Sequence, residues 1–157
     1  MKWRRAFLLV WILWIFGSSC TVITQTQWLG TVHQAAPGLA SPTQLASFWD
    51  RYWWVFVKGY HVLEFAVLYV LVRSAYQVLG RRHWIPAVLC LAYAATDEFH
   101  QHFVHDRGGR WTDVLIDAGG ICLGLILLRA AHVVHTRRYV RRLRTSLQPI
   151  GIIATSE

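Results

Sequence analysis

The sequence predicts an all-α fold: a polytopic membrane bundle of four transmembrane helices with both termini cytoplasmic. Three observations predict it. Hydrophobic residues make up 55% of the 157-residue chain and charged residues only 15%. Four apolar runs approach the roughly 20 residues needed to cross a bilayer. The basic residues also concentrate in segments that would share one side of the membrane.

The runs are residues 6–23, 53–72, 84–103 and 111–133. With both termini inside, Lys2, Arg4, Arg5, Arg73, Arg81, Arg82, Arg129, Arg137, Arg138, Arg141, Arg142 and Arg144 all lie on the cytoplasmic side. Only Arg51, Arg107 and Arg110 fall in outer loops, and Lys58 sits within a span. This is the positive-inside distribution. The net charge of +8 therefore reads as topology rather than nucleic-acid binding. The basic tail would also attract anionic lipid.

The N-terminus reads "MKWRRAFLLVWILWIFGSSC". A basic start, an apolar core and a small-residue end also describe a signal peptide. Cys20 after two serines hints at lipoprotein cleavage, but Gly17 stands where a branched apolar residue is expected. The reading adopted is an uncleaved first helix. The first outer loop, 24–51, contains "APGLASP" and reads as polar and irregular. "SPTQLASFWDRYWW" reads as a short interfacial helix with its tryptophans at headgroup level.

The second and third spans form an antiparallel hairpin across the short "YQVLGRRHW" loop, and Pro86 suits a first helical turn. "HDRGGRW" joins the third and fourth spans, with Gly108 and Gly109 permitting the reversal and Thr112 as the cap. The fourth helix continues as "HTRRYVRRLR" and frays at Pro149. This gives one transmembrane domain over residues 1–145, with its core motif at 53–128, and a flexible tail at 146–157. Cys20, Cys90 and Cys122 have no CxxC spacing and read as small buried hydrophobes.

The informative passage is "ATDEFHQHFVHDRGGRWTDVLID", 95–117, which is highly charged yet flanked by apolar runs. At 1.5 Å rise per residue, Lys58, His61 and Glu64 lie roughly 8, 12 and 16 Å below the outer end of the second span. Tyr93, Asp97 and Gln101 follow an i, i+4, i+8 stripe, with Glu98 beside it. Asp97 and Asp117 each lie about 9 Å from the outer ends of their spans. Asp113, Asp117, Gly120 and Gly124 share a face of the fourth.

An Asp or Lys at a helix centre costs roughly 2.5–3.5 kcal/mol on insertion scales. These groups must therefore face one another or a polar pocket. Gly120 and Gly124 form a small-xxx-small step that lets a neighbouring helix approach. Arg107 and Arg110 at the mouth can pair with the acids below. Two readings remain open. Ion pairs such as Lys58–Glu64 or Arg107–Asp113 would simply lock helices together. Alternatively, the cluster lines a solvated pocket open to the outside.

"KGYHVLEFAVL" and "AYAATDEFHQHFVHDRGGRWTDVLIDAGGICLG" resemble the VanZ-like family of small bacterial integral membrane proteins. Lys58, His61, Asp97, Glu98, Gln101, Phe103, Arg107, Asp113, Asp117, Gly120 and Gly124 match its motif positions. The resemblance covers about 53–128. Where the family usually has Pro-Gly, this chain has His105-Asp106, making Asp106 a local partner for Arg107 or Arg110.

The family takes its name from a protein associated with teicoplanin resistance. The resemblance thus implies a multi-pass protein of the bacterial cytoplasmic membrane, acting at the cell envelope and linked to glycopeptide resistance. Some members carry the label phosphotransbutyrylase, which does not transfer, because no phosphate-cradling glycine loop is present.

The first functional expectation is an outward-facing intramembrane carboxylate/arginine pocket. It would engage a polar or cationic part of a lipid-linked or cell-wall ligand, with Arg107 holding a phosphate or carboxylate and Gln101 and His61 orienting it. The alternative is an intramembrane acid/base enzyme acting on an envelope lipid or cell-wall precursor. With no serine or cysteine nucleophile beside a base, it would activate water. His100, His102 and His105 offer nitrogen ligands near Asp97 and Glu98, but their i, i+2, i+5 spacing does not align on one helical face. No metal or cofactor is expected. Proton or ion transport is a minor further option, since four spans are few for a transporter.

Overall fold

The structure is a computed structural model, and it describes residues 2–76, 83–104 and 108–147. All regular structure among them is helical: α1 Lys2–Ser19, α2 Gln25–Ala35, α3 Pro42–Ala75, α4 Trp84–Gln101 and α5 Trp111–Leu147.

Helix α1 is apolar on almost every side. Leu8, Ile15 and Ser19 are buried, while Phe7, Leu9, Val10, Leu13 and Trp14 face outward. An all-round apolar helix suits a hydrocarbon surrounding. Its basic start reaches the end of α3: Arg4 Nη1 donates to the Ser74 carbonyl at 3.3 Å, and the Arg5 guanidinium lies 5.8 Å from the Tyr76 ring centroid.

The loop expected to be irregular contains α2. Thr24 and Gln27 form a capping box, the Thr24 hydroxyl accepting from the Gln27 N–H and the Gln27 carbonyl oxygen Oε1 accepting from the Thr24 N–H. Two N-terminal backbone donors are satisfied in this way, which offsets the cost of starting a short helix. The chain then turns at Gly38, whose φ of 87° is one that glycine adopts without steric cost.

The interfacial helix expected over "SPTQLASFWDRYWW" is continuous with the second span. Ser41 and Gln44 form a second capping box, Pro42 occupies the first turn, and nothing breaks the helix before Ala75. Trp28 of α2 lies against Phe48 and Trp49 of α3, at centroid distances of 6.1 and 5.2 Å. Thr112 is not a cap: it lies inside α5, which begins at Trp111. Helix α5 runs unbroken to Leu147; Pro149 and the remaining tail lie outside the described residues.

Helices α3 and α5 are long and apolar enough to cross a membrane. The 18-residue α1 and α4 reach about 27 Å, slightly less than the roughly 30 Å hydrocarbon core. Basic residues begin α1, and Asp97 and Glu98 lie near the end of α4.

Helix α3 is the centre of the bundle, packing against α1, α4 and most extensively α5. The core joins Leu8 and Ile15 of α1 with Phe65, Leu68, Tyr69, Val72 and Ala75 of α3, Cys90 and Ala94 of α4, and Ile121 of α5. Of the three cysteines expected to be buried, only Cys90 is; Cys20 and Cys122 lie on the exterior. On an apolar outer surface, a small hydrophobe needs no protein neighbour to be accommodated.

Backbone contact explains the intimacy of α3 and α5. A Cβ at Gly120 would lie 2.4 Å from the Val62 carbonyl oxygen, and one at Gly124 would lie 2.6 Å from that of Ala66. These distances leave no room for any side chain.

Candidate functional site

At the bundle end opposite the Arg4–Ser74 contact, four helices contribute polar groups to one buried cluster. His61, Glu64, Asp97, Glu98, Gln101, Asp117 and Ser19 are all buried. In an apolar setting each such group needs a partner, and the partners come chiefly from other helices.

Between α3 and α5, the Lys58 ammonium pairs with Asp113 Oδ2, and His61 Nδ1 lies 3.3 Å from Asp117 Oδ1. Lys58 therefore pairs across helices and not with Glu64, its expected partner on α3. The cause is the glycine step: the close approach at Gly120 brings the outer end of α5 within reach of Lys58. Thr112 Oγ1 also contacts Asp113 Oδ1 at 3.4 Å.

The last turn of α1 serves two acids at once. Ser18 Oγ donates to Glu64 Oε1 at 2.9 Å, and Ser19 Oγ donates to Asp97 Oδ2 at 2.7 Å. Gln101, one turn beyond Asp97 on α4, donates its Nε2 to the same Asp97 oxygen at 2.7 Å. Tyr93, a further turn back, donates its hydroxyl to the Ile12 carbonyl at 3.0 Å. The stripe of Tyr93, Asp97 and Gln101 is thus the edge of α4 that meets α1.

Glu98 faces the other way, toward α5, where its Oε1 accepts from the Arg110 backbone N–H. The irregular stretch 108–110 lies directly over α4: a Cβ at Gly109 would meet the Glu98 carbonyl oxygen at 2.4 Å. Arg110 enters the site through its backbone, and its side chain is exposed. Arg107, His105 and Asp106 lie outside the described residues.

The charges act on one another across the helices. Asp97 influences both Glu64 and Asp117, and His61 influences Glu64, Glu98 and Asp117. Among the described residues, three carboxylate oxygens in this network, Glu98 Oε2 and both oxygens of Asp117, are buried without a hydrogen-bond partner, although Asp117 Oδ1 lies 3.3 Å from His61 Nδ1. His100 and His102 do not converge: the His100 ring lies 4.7 Å from that of Phe16, while His102 sits beneath Gly109. Among the described residues, no group of three His, Cys, Asp or Glu side chains is arranged to hold a metal.

Sequence reasoning missed the contribution of α1. Ser18 and Ser19 looked like the end of a signal peptide, and Trp11 and Trp14 were assigned no role. In the structure, Trp11 Nε1 donates to the Glu64 carbonyl at 3.0 Å and Trp14 Nε1 to the Tyr60 hydroxyl at 2.7 Å. The available signal was the pair of hydroxyls closing an otherwise apolar run.

An apolar exterior, helices of bilayer length and acids gathered in the interior define a helical membrane protein. A soluble fold distributes these groups the other way round. The chain belongs to the VanZ/LLP1 family, whose model matches residues 5–133. No curated protein and no solved structure matches it.

Proposed function

We propose that this VanZ/LLP1 protein acts at the bacterial cell envelope, using its buried carboxylate cluster to engage a polar part of a lipid-linked or cell-wall ligand, and so contributes to glycopeptide resistance. The observation that carries the reading is the pair of buried acids, Glu98 and Asp117, each with an oxygen that none of the described residues satisfies. A cluster that served only to lock helices together would use its acceptors internally, because a buried polar atom left unsatisfied costs about 1–3 kcal/mol.

In this reading α1 and α4 also cross the membrane, giving four spans with both termini in the cytoplasm. At about 27 Å each, they need only slight local thinning of the bilayer, which costs fractions of a kcal/mol per Å. The contacts of Arg4 with Ser74 and Arg5 with Tyr76 support grouping the basic residues at the cytoplasmic end. Arg107 is assigned to an anionic part of the ligand, following the family motif.

A second reading, an intramembrane acid/base enzyme, is favoured by one observation: His61 faces Asp117 at 3.3 Å. A carboxylate beside an imidazole can orient it as a general base toward water. Turnover of envelope lipids by the purified protein in detergent would distinguish this reading from binding alone.

The test of the primary reading is teicoplanin susceptibility in a susceptible host expressing the wild type, Glu98→Gln, Asp117→Asn or Arg107→Ala, with membrane levels matched by blot. Expression of the wild type raises the inhibitory concentration, and the variants lose that protection. Equal protection by all four proteins would refute the assigned role.

A further inference from the structure

We infer that Glu98 of α4 and Asp117 of α5 form a recognition site for a primary ammonium group. This rests on the proposed envelope role and names the part of the ligand that these two acids take.

Both carboxylates are almost wholly enclosed, at 2% and 1% exposure, and they come from adjoining helices. One side of each is already engaged. Glu98 Oε1 accepts from the Arg110 N–H, and Asp117 Oδ1 faces His61. Among the described residues, nothing donates a hydrogen bond to Glu98 Oε2 or Asp117 Oδ2, and the Asp117 charge acts on Glu98.

Charge balance points the same way. Among the described residues of the cluster, Glu64, Asp97, Glu98, Asp113 and Asp117 stand against Lys58 and His61. Lys58 is engaged by Asp113. Serine and glutamine donors serve Glu64 and Asp97 but bring no positive charge. An ionised carboxylate away from water is stable only when both its charge and its lone pairs are met. In their ionised form, Glu98 and Asp117 call for a ligand that is cationic and donates hydrogen bonds.

The type of cation follows from the donor set. Calcium takes six to eight oxygen ligands and magnesium a near-ideal octahedron, whereas no three-residue metal group exists among the described residues. A quaternary ammonium has no N–H and is recognised by aromatic faces. A primary ammonium carries a single charge and three N–H donors, which suit the unpartnered carboxylate oxygens of Glu98 and Asp117. The same chemistry occurs in an aminoalkyl phospholipid headgroup, a lysyl side chain of a peptide and a free amine.

The experiment uses the full chain in nanodiscs of phosphatidylglycerol. Thermal unfolding is followed during titration with methylammonium or tetramethylammonium chloride at constant ionic strength. Methylammonium is expected to raise the midpoint saturably, and tetramethylammonium to leave it unchanged. Glu98→Gln and Asp117→Asn should each weaken the methylammonium response by about tenfold or more, while Asp50→Asn, which alters an exposed acid bonded to Gln25, leaves it intact.

Two further arms identify the source. Phosphatidylethanolamine is added to the discs in one, and a short lysine-containing peptide in the other. A shift abolished by Glu98→Gln in either arm supports the site and says which source it accepts. Equal responses to the two ammonium salts, or responses that survive both carboxylate substitutions, overturn the assignment. If a variant fails to fold, the wild-type contrast between the two salts decides. Loss of the ammonium assignment leaves the teicoplanin test standing, so the two readings fail separately.

Discussion

Ser19, the last residue of α1, donates a 2.7 Å hydrogen bond to Asp97 of α4, 78 positions further along the chain. Its neighbour Ser18 serves Glu64 of α3 in the same way. One helical turn thereby fixes two buried acids and makes α1 part of the polar cluster.

Ser19→Ala removes a charge-assisted donor from a site that stays enclosed. A loss of about 1–2 kcal/mol is expected, the range of interhelical hydrogen bonds in model membrane systems. Unfolding by a denaturing detergent would measure it. Wild-type stability in Ser19→Ala would mean that the bond contributes nothing.

The glycines of α5 differ in what surrounds them, and alanine substitution should separate them. Gly120→Ala places a methyl 2.4 Å from the Val62 carbonyl oxygen, whereas the same change at Gly119 meets nothing within 4 Å. Gly120→Ala should part α3 from α5 and lower the unfolding midpoint by an overpacking cost of about 1–3 kcal/mol. Gly119→Ala should hold or raise the midpoint, since alanine favours helix by about 1 kcal/mol. Equal effects at both positions would contradict the close approach of the helices.

Lys58 and Asp113 should behave as a coupled pair. Lys58→Met strands a carboxylate, with an expected loss of about 1–3 kcal/mol. This is below the roughly 3–5 kcal/mol for a fully buried pair, because the Lys58 side chain remains 29% exposed. Adding Asp113→Leu should restore part of the loss. A double variant that loses the sum of both single losses would show that the two side chains do not interact.

His83 precedes α4, outside the spans. Burial, and then the nearby Arg73 and Arg129, hold its imidazole below the ordinary histidine pKa. The unfolded chain thus takes up this proton more readily than the folded one, and stability rises with pH. The contribution is complete above the ordinary histidine value and is lost as pH falls through the depressed folded value. Unfolding midpoints of wild type and His83→Gln between pH 7.5 and 5 should diverge, with the variant losing less. Parallel curves would remove His83 as a source of pH sensitivity.

Much of the fold was legible because apolar helices announce themselves locally. Apolar composition marked four of the five helices, and the i, i+4 spacing of Tyr93, Asp97 and Gln101 put them on one edge of α4. Helix α2 was missed because Thr24 and Gln27 stabilise a segment whose prolines and polar residues suggested a loop. The break expected between residues 41–54 and the second span does not occur, since Pro42 at a helix start interrupts nothing. The roles of Ser18 and Ser19 were hidden because hydroxyls at the end of an apolar run look the same whether they face lipid or an acid.

By itself, the sequence determined that the chain is helical and rich in apolar residues, and that most of its acids are concentrated at 97–117. Those properties depend on residue type and on a helical period repeated along one segment. Tertiary structure alone decided which groups meet: Lys58 with Asp113, His61 with Asp117, Ser19 with Asp97, and Glu98 with the backbone of Arg110. Partner choice depends on how each helix is rotated and how closely its neighbours pack. The contacts of Gly120 and Gly124 with the α3 backbone set these quantities for α3 and α5, and no periodicity within a single helix encodes them.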